Sequence, residues 1–199
     1  MKPTSISDGR PINGDMLVVI DESSPDNQAG GVAYVVTAAA MLAVPEVVSG
    51  LTEMFSSSRK RPFHWAKEGP AARKAIIDVI ISTGVIAVAH CAHVSRRGQL
   101  PVRLEMLADL SGWAAIEGAT HLMIEASDDA TIGRDRKALL DHHRELGGVP
   151  FTYDWRSKSE PVLWVADAIA GSVGEFVVNK NAYWYEQLRE AGAVDLRFR

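Results

Sequence analysis

Apolar residues occur along this chain in short continuous runs separated by longer amphipathic stretches. Met16 to Ile20 is one such run, following Asn13-Gly14 and closed by Asp21-Glu22, so Met16 to Glu22 reads as a strand buried on both faces. Ser23 to Gly31 collects Ser, Pro, Asp, Asn and Gly and reads as a loop; Val32 to Thr37 then makes the antiparallel partner strand. Ala38 to Phe55 has a helical composition broken by Ser56 to Lys60. Pro70 to Ser82 carries Ala71, Ala75, Ile76, Val79 and Ile80 at helical spacing, with Pro at its start and Gly84 past its end. Further along, strands are predicted over Val85 to Val94, Thr120 to Ala126 and Val149 to Trp155. Helices are predicted over Leu100 to Glu117, Ile132 to Leu146, Pro161 to Val178 and Ala182 to Ala191.

Two antiparallel strands followed by strand–helix alternation imply a mixed sheet with helices on its faces. The order is that of the ribonuclease H-like α/β fold: a five-stranded mixed sheet, with a helical insertion of about 38–83 between strands 2 and 3. A helical tail of about 181–199 would cover the core or pair chains into a homo-oligomer through Tyr183, Trp184 and Tyr185. No helix separates the first two strands and no Gly-rich fingerprint follows the first, which disfavours a dinucleotide-binding fold. One domain over 1–199 is expected.

Composition adds exclusions. The chain is 47% hydrophobic and 23% charged, close to the globular average of about 45–50% and 25%. Cys91 is the single cysteine, so no internal disulfide forms, as fits a reducing compartment. No apolar stretch reaches the ~18 residues of a membrane span, and the start lacks a secretory apolar core; the expectation is a cytoplasmic protein with no membrane partner. Twenty-one basic against 25 acidic residues give a net −4, which argues against indiscriminate coating of nucleic acid.

Position tells more than the total. Asp21 ends a buried strand on the face of Leu17 and Val19, while Glu22 points to the other. Glu125 closes Leu122-Met123-Ile124 in the same way. Asp167 lies within an apolar helix, its neighbours three and four residues away being Leu163, Trp164, Ala170 and Gly171. A carboxylate in such a place is costly unless its charge is compensated. Each has a plainer alternative: a turn or cap residue, a strand-end acid, a structural acid paired with one Arg. If strands 1 and 4 are parallel neighbours, as in the ribonuclease H-like arrangement, Asp21 and Glu125 emerge side by side, and Asp167 joins them from the last helix. Oxygen-only ligands select Mg²⁺ or Mn²⁺. Two such ions could activate a water and stabilise the leaving oxygen, with Asp21 bridging them and Glu125 and Asp167 holding one each. Glu105, Asp128 and Asp129 are further candidate ligands.

These residues resemble a known family. Asp21-Glu22-Ser23-Ser24 is similar to the Asp-Glu-Ser-Gly opening of the domain-of-unknown-function family 3800. Leu163-Trp164-Val165-Ala166-Asp167-Ala168-Ile169-Ala170-Gly171 resembles its closing Leu-Gln-x-Ala-Asp-Leu-x-Ala-Gly helix, and Phe63-His64-Trp65 a His-bearing segment. Ser24 stands where the family has Gly, and Trp164 where it has Gln. The resemblance implies a ribonuclease H-like fold with a metal-dependent nuclease site at Asp21, Glu125 and Asp167.

In the insertion, Arg59, Lys60, Arg61, Lys67, Arg73 and Lys74 stand against Glu68 alone, interleaved with Phe63 and Trp65. Basic plus aromatic is what a nucleic-acid strand would meet. Arg59, Lys60, Arg61, Trp65 and Lys67 are therefore candidate substrate contacts, and His64 a candidate phosphate contact or proton donor. Charge runs are otherwise solvated faces. Asp141-His142-His143 lies on an amphipathic helix, and His90 and His93 face opposite sides of a strand, so neither suggests a metal site. The expected activity is metal-dependent cleavage of RNA or DNA phosphodiesters. The alternatives are a catalytically silent module working through protein or nucleic-acid binding, and hydrolysis of a small nucleotide.

Overall fold

The first strand, β1 (Leu17–Ser23), lies inside a six-stranded sheet and is buried on both faces over Leu17 to Asp21. The structure, a computed structural model, describes residues 16–23, 32–42, 44–54 and 61–199. In chain order, β1 is followed by β2 (Val32–Leu42), α1 (Val44–Met54), a 3-10 turn (Trp65–Lys67), α2 (Pro70–Ser82) and β3 (Ile86–Ser95). Then come α3 (Gln99–Ile116), β4 (His121–Glu125), α4 (Asp129–Glu145), β5 (Thr152–Arg156), α5 (Leu163–Asn179), α6 (Tyr183–Glu190) and β6 (Val194–Phe198). The sheet order is β5-β4-β1-β2-β3-β6. β2 runs antiparallel to β1 and β3, whereas β1–β4, β4–β5 and β3–β6 are parallel. Strands 1 and 4 are thus parallel neighbours.

Strand alternation sorts the core into two layers. Leu17, Val19, Ala38 and Met123 face α1, α2, α5 and α6; Val18, Ile20, Ala39 and Ile124 face α3 and α4. α5 is buried continuously from Leu163 to Gly174, packed on β1 and β2 beneath α2 and α6. A helix apolar all round is one buried on all sides. No helix among the described residues is long and apolar enough to cross a membrane.

Three expectations need correction. β2 continues through Ala38 to Leu42, which composition assigns to a helix; all five residues pair with β1 and Ala38 to Met41 also pair with β3, and that pairing overrides the helix propensity of alanine. The helical part of the insertion therefore begins at α1. The sheet has six strands, not five. Past α6 the tail is β6, whose Val194 to Phe198 run parallel to Ala87 to Cys91 of β3. Trp184 and Tyr185 are buried, while Tyr183 is exposed.

Candidate functional site

The alternation that buries Leu17 and Val19 also sends Asp21 to the α5 face, where it is only 4% exposed. Parallel pairing of Ile20 with Ile124 brings the ends of β1 and β4 side by side, and Glu125 leaves β4 on the face of Met123. Asp167 reaches the same point from the second turn of α5. All three carboxylates meet at one cation, the ammonium of Lys158 in the loop between β5 and α5. Its Nζ lies 3.3 Å from Asp21 Oδ2, 3.0 Å from Glu125 Oε2 and 2.9 Å from Asp167 Oδ1. Any two of those oxygens are therefore within twice the longest of these contacts.

The polar bonding is uneven. Asp21 Oδ1 accepts the Glu22 amide at 2.6 Å, and Asp167 Oδ2 accepts the Trp65 amide at 2.7 Å. Glu125 Oε2 is buried and faces Lys158 off the direction of a hydrogen bond, leaving it with a charge contact and no donor. Burial drives the Asp21 carboxyl well above its usual range. Glu125, as hydrogen-bond partner and as charge, raises it further; Lys158 offsets part of this, and Asp167 adds to it. Burial works against the Lys158 charge, but the charges of Asp21 and Asp167, with the hydrogen bond to Asp167 and the close contact with Glu125, outweigh it and hold the ammonium well above its ordinary range. At Asp21, burial and the neighbouring carboxylates together outweigh the one ammonium.

The donor set suits a hard divalent cation: every ligand is a carboxylate oxygen, one buried oxygen lacks a donor, and a positive charge already stands among them. Asp21, Glu125 and Asp167 are the residues that would hold Mg²⁺ or Mn²⁺. As they stand around Lys158, no group of three His, Cys, Asp or Glu among the described residues is drawn in to metal-ligand geometry.

The insertion is fastened to this cluster by Trp65. A Cβ on Gly171 would fall into its ring, so glycine in α5 is required for the approach. The Trp65 indole donates to Glu175 at 3.2 Å, and Arg73 donates to the Trp65 carbonyl at 3.0 and 3.1 Å while pairing with Glu175 at 2.6 Å. This sets His64 beside the site, with Nδ1 3.5 Å from Asp167 Oδ1, too far for a hydrogen bond, and without another partner. Two hollows flank the cluster. One, of about 210 Å³, is lined by Asp21, Glu22, Thr37, Arg103, Glu125 and Lys158; the other, of about 460 Å³, includes His64, Arg73, Asp167 and Glu175.

Other expected site residues lie elsewhere. Trp65 is 3% exposed and packs edge-on against Trp184, so its ring is core and not a stacking surface; Phe63 is likewise buried. Arg61 and Lys67 are exposed, Arg61 bonding the Lys67 carbonyl at 3.2 Å. Arg59 and Lys60 lie outside the described residues. Glu105 is exposed and pairs with Arg199 at 3.3 Å, not with the Lys158 cluster. Asp128 caps α4 through the Thr131 amide at 3.0 Å, and Asp129 sits exposed in the first turn of that helix. His143 is buried against Ser111 at 2.9 Å. One residue of the site, Lys158, and the role of another, Trp164, escape sequence reading. Lys158 lies in a polar loop where lysine is ordinary. Trp164 donates its indole N–H to the Lys158 carbonyl at 2.8 Å and so anchors that loop.

Neither the protein-family models nor the curated proteins compared with the chain match it. Among solved structures, a chain of the PCNA:RNase HII complex from Archaeoglobus fulgidus is similar over 89% of this chain and 78% of its own, at 13% identity and a TM-score of 0.46. At that identity and score it assigns no residue or activity here.

Proposed function

We propose that this chain is a metal-dependent nuclease of ribonuclease H-like fold, akin to the domain-of-unknown-function family 3800, that cleaves phosphodiester bonds of RNA or DNA. The observation that carries the reading is the meeting of Asp21, Glu125 and Asp167, from two strands and a helix, around a single positive charge. The sheet order, with β1 between an antiparallel β2 and a parallel β4, supports the fold assignment. Mg²⁺ or Mn²⁺ bound by the three carboxylates would supply an activated water and stabilise the leaving oxygen. The chain's own groups prepare the site. The amides of Glu22 and Trp65 orient Asp21 and Asp167. The imidazole of His64, 40% exposed, stands beside Asp167 with its buried Nδ1 turned to that carboxylate, so that the exposed part of the ring is placed to contact a phosphate or pass a proton. Arg61 and Lys67, with Arg59 and Lys60 outside the described residues, give the insertion the positive charge that a phosphate backbone attracts.

A second reading has one observation in its favour: Lys158 stands among the carboxylates, as it would in a silent module whose acids are neutralised for good. A screen of single- and double-stranded RNA and DNA, with and without Mg²⁺ or Mn²⁺, separates the two. Cleavage that needs metal and falls more than about 100-fold in Asp167→Asn supports the nuclease, since even outer partners of metal ligands are worth about 10–100-fold. No cleavage under any condition, together with no Mn²⁺ binding, supports the silent module.

A further inference from the structure

We propose that Lys158 sets the cation affinity of this site: its ammonium is a tethered occupant that a divalent ion must displace. The inference rests on the nuclease reading, because it takes the three carboxylates to be metal ligands. It starts from who shares the oxygens. Asp21 Oδ2, Glu125 Oε2 and Asp167 Oδ1 all turn to Lys158 Nζ, at 3.3, 3.0 and 2.9 Å. A divalent ion using those oxygens would lie against the ammonium, and two positive charges at such range repel strongly in a partly buried site.

The attachment of Lys158 suits an exchange. Its backbone is held by the Trp164 indole on its carbonyl at 2.8 Å, whereas its side chain is held at its tip alone, by hydrogen bonds to Asp21 and Asp167 and a charge contact with Glu125. The contact with Glu125 is not a hydrogen bond, so one of the three holds is weak already. The side chain is 20% exposed and lines the hollow of about 210 Å³ shared with Asp21 and Glu125, which gives the ammonium somewhere to go without moving the loop. Four methylene groups supply the reach. Displacement leaves the ammonium beside the entry to the carboxylates, where an incoming phosphate group replaces them as its partner. Trp164 is a positioning residue in this account: it keeps the loop in register while the side chain moves.

The test is Mn²⁺ binding by calorimetry at pH 8, where protons compete least, for wild type and Lys158→Met. The expected result is Mn²⁺ binding roughly tenfold or more tighter in Lys158→Met, as removal of a competing unit charge requires. Equal or weaker binding in the variant, with wild type binding, overturns the inference and leaves the nuclease reading standing. Binding in neither protein overturns both. Should Lys158→Met fail to fold, wild type alone decides. Reductive methylation followed by mass spectrometry is expected to modify Lys158 several-fold faster at saturating Mn²⁺. Lys74 and Lys137, which pair with Asp78 and Asp141 on exposed helix faces, serve as controls and stay unchanged. An unchanged rate at Lys158 overturns the proposal.

Discussion

Asp21 and Glu22 are neighbours on β1, yet they enter two different ion clusters on opposite faces of the sheet. Glu22 meets Arg103 of α3, which also forks onto Asp135 of α4, with one of those bonds at 3.1 Å. Trp155 adds its indole N–H to Asp135 at 3.4 Å. Asp21 meets Glu125, Asp167 and Lys158. Both clusters hold more carboxylates than cations, and in both burial raises the β1 carboxyl's pKa. They differ in the cation. A guanidinium spreads its charge over a planar fork, engages both acids at once and joins three elements of regular structure. An ammonium is a point charge on a flexible stem, reaching from a loop to three acids of which one stays without a hydrogen bond. The first cluster is built to stay closed, the second to exchange its cation.

The sharpest way to break that comparison is to remove each cation in turn. Arg103→Met leaves Asp135, 1% exposed, without the charge that compensates it. Breaking a buried pair from one side costs about 3–5 kcal/mol, and that loss is expected in urea unfolding of the metal-free protein. Lys158→Met is expected to lose less than half as much, because the Lys158 side chain is 20% exposed and the site reaches solvent through the hollow beside it. Equal losses would mean that the two clusters are both structural.

A smaller effect tests what fixes the Lys158 cluster in place. Gly171→Ala puts a methyl group into the Trp65 ring. Overpacking of this kind costs about 1–3 kcal/mol. The loss is expected to be local: the insertion shifts, the Trp65 amide leaves Asp167, and amide exchange rises from His64 to Lys67. Exchange in α3 and α4 around Arg103 stays as it was. If protection falls equally on both faces, the insertion does not act on the carboxylates through Trp65.

What could be read from residues alone follows the same physics. Asp21, Glu125 and Asp167 stand out because a carboxylate closing or interrupting an apolar run is costly, and that cost is visible without coordinates. Lys158 is not visible, because a lysine between Ser157 and Ser159 looks like any solvated loop residue. Trp65 misleads for the converse reason. Its basic neighbours suggest an exposed platform, while the cavity that accepts it is made by Gly171, more than a hundred residues away. Ala38 to Leu42 reads as helix by propensity and is strand by tertiary pairing. Val194 to Phe198 alternates apolar and charged residues as an edge strand does, but five residues after a helix are easily taken as its tail.

The smallest expected effect concerns a buried ionisable group that belongs to neither cluster. His90 of β3 is 6% exposed and its Nδ1 has no hydrogen-bond partner. Burial first, then the charges of Arg199 and Arg197, lower its pKa to about 4 from an ordinary 6.5. Where Asp21 has a cation and Glu22 a fork, His90 has only the smaller opposing charge of Asp195, and burial wins. The sign follows from proton counting. Between pH 6.5 and about 4 the unfolded chain binds the proton and the folded chain does not, so acid favours unfolding across that window. His90→Phe removes this contribution. Its unfolding free energy, measured by urea at intervals from pH 7 to 4, is expected to fall less steeply than that of wild type. Parallel curves would show that the folded protein takes up the proton at His90 as readily as the unfolded chain, and that burial in this sheet does not by itself demand neutrality.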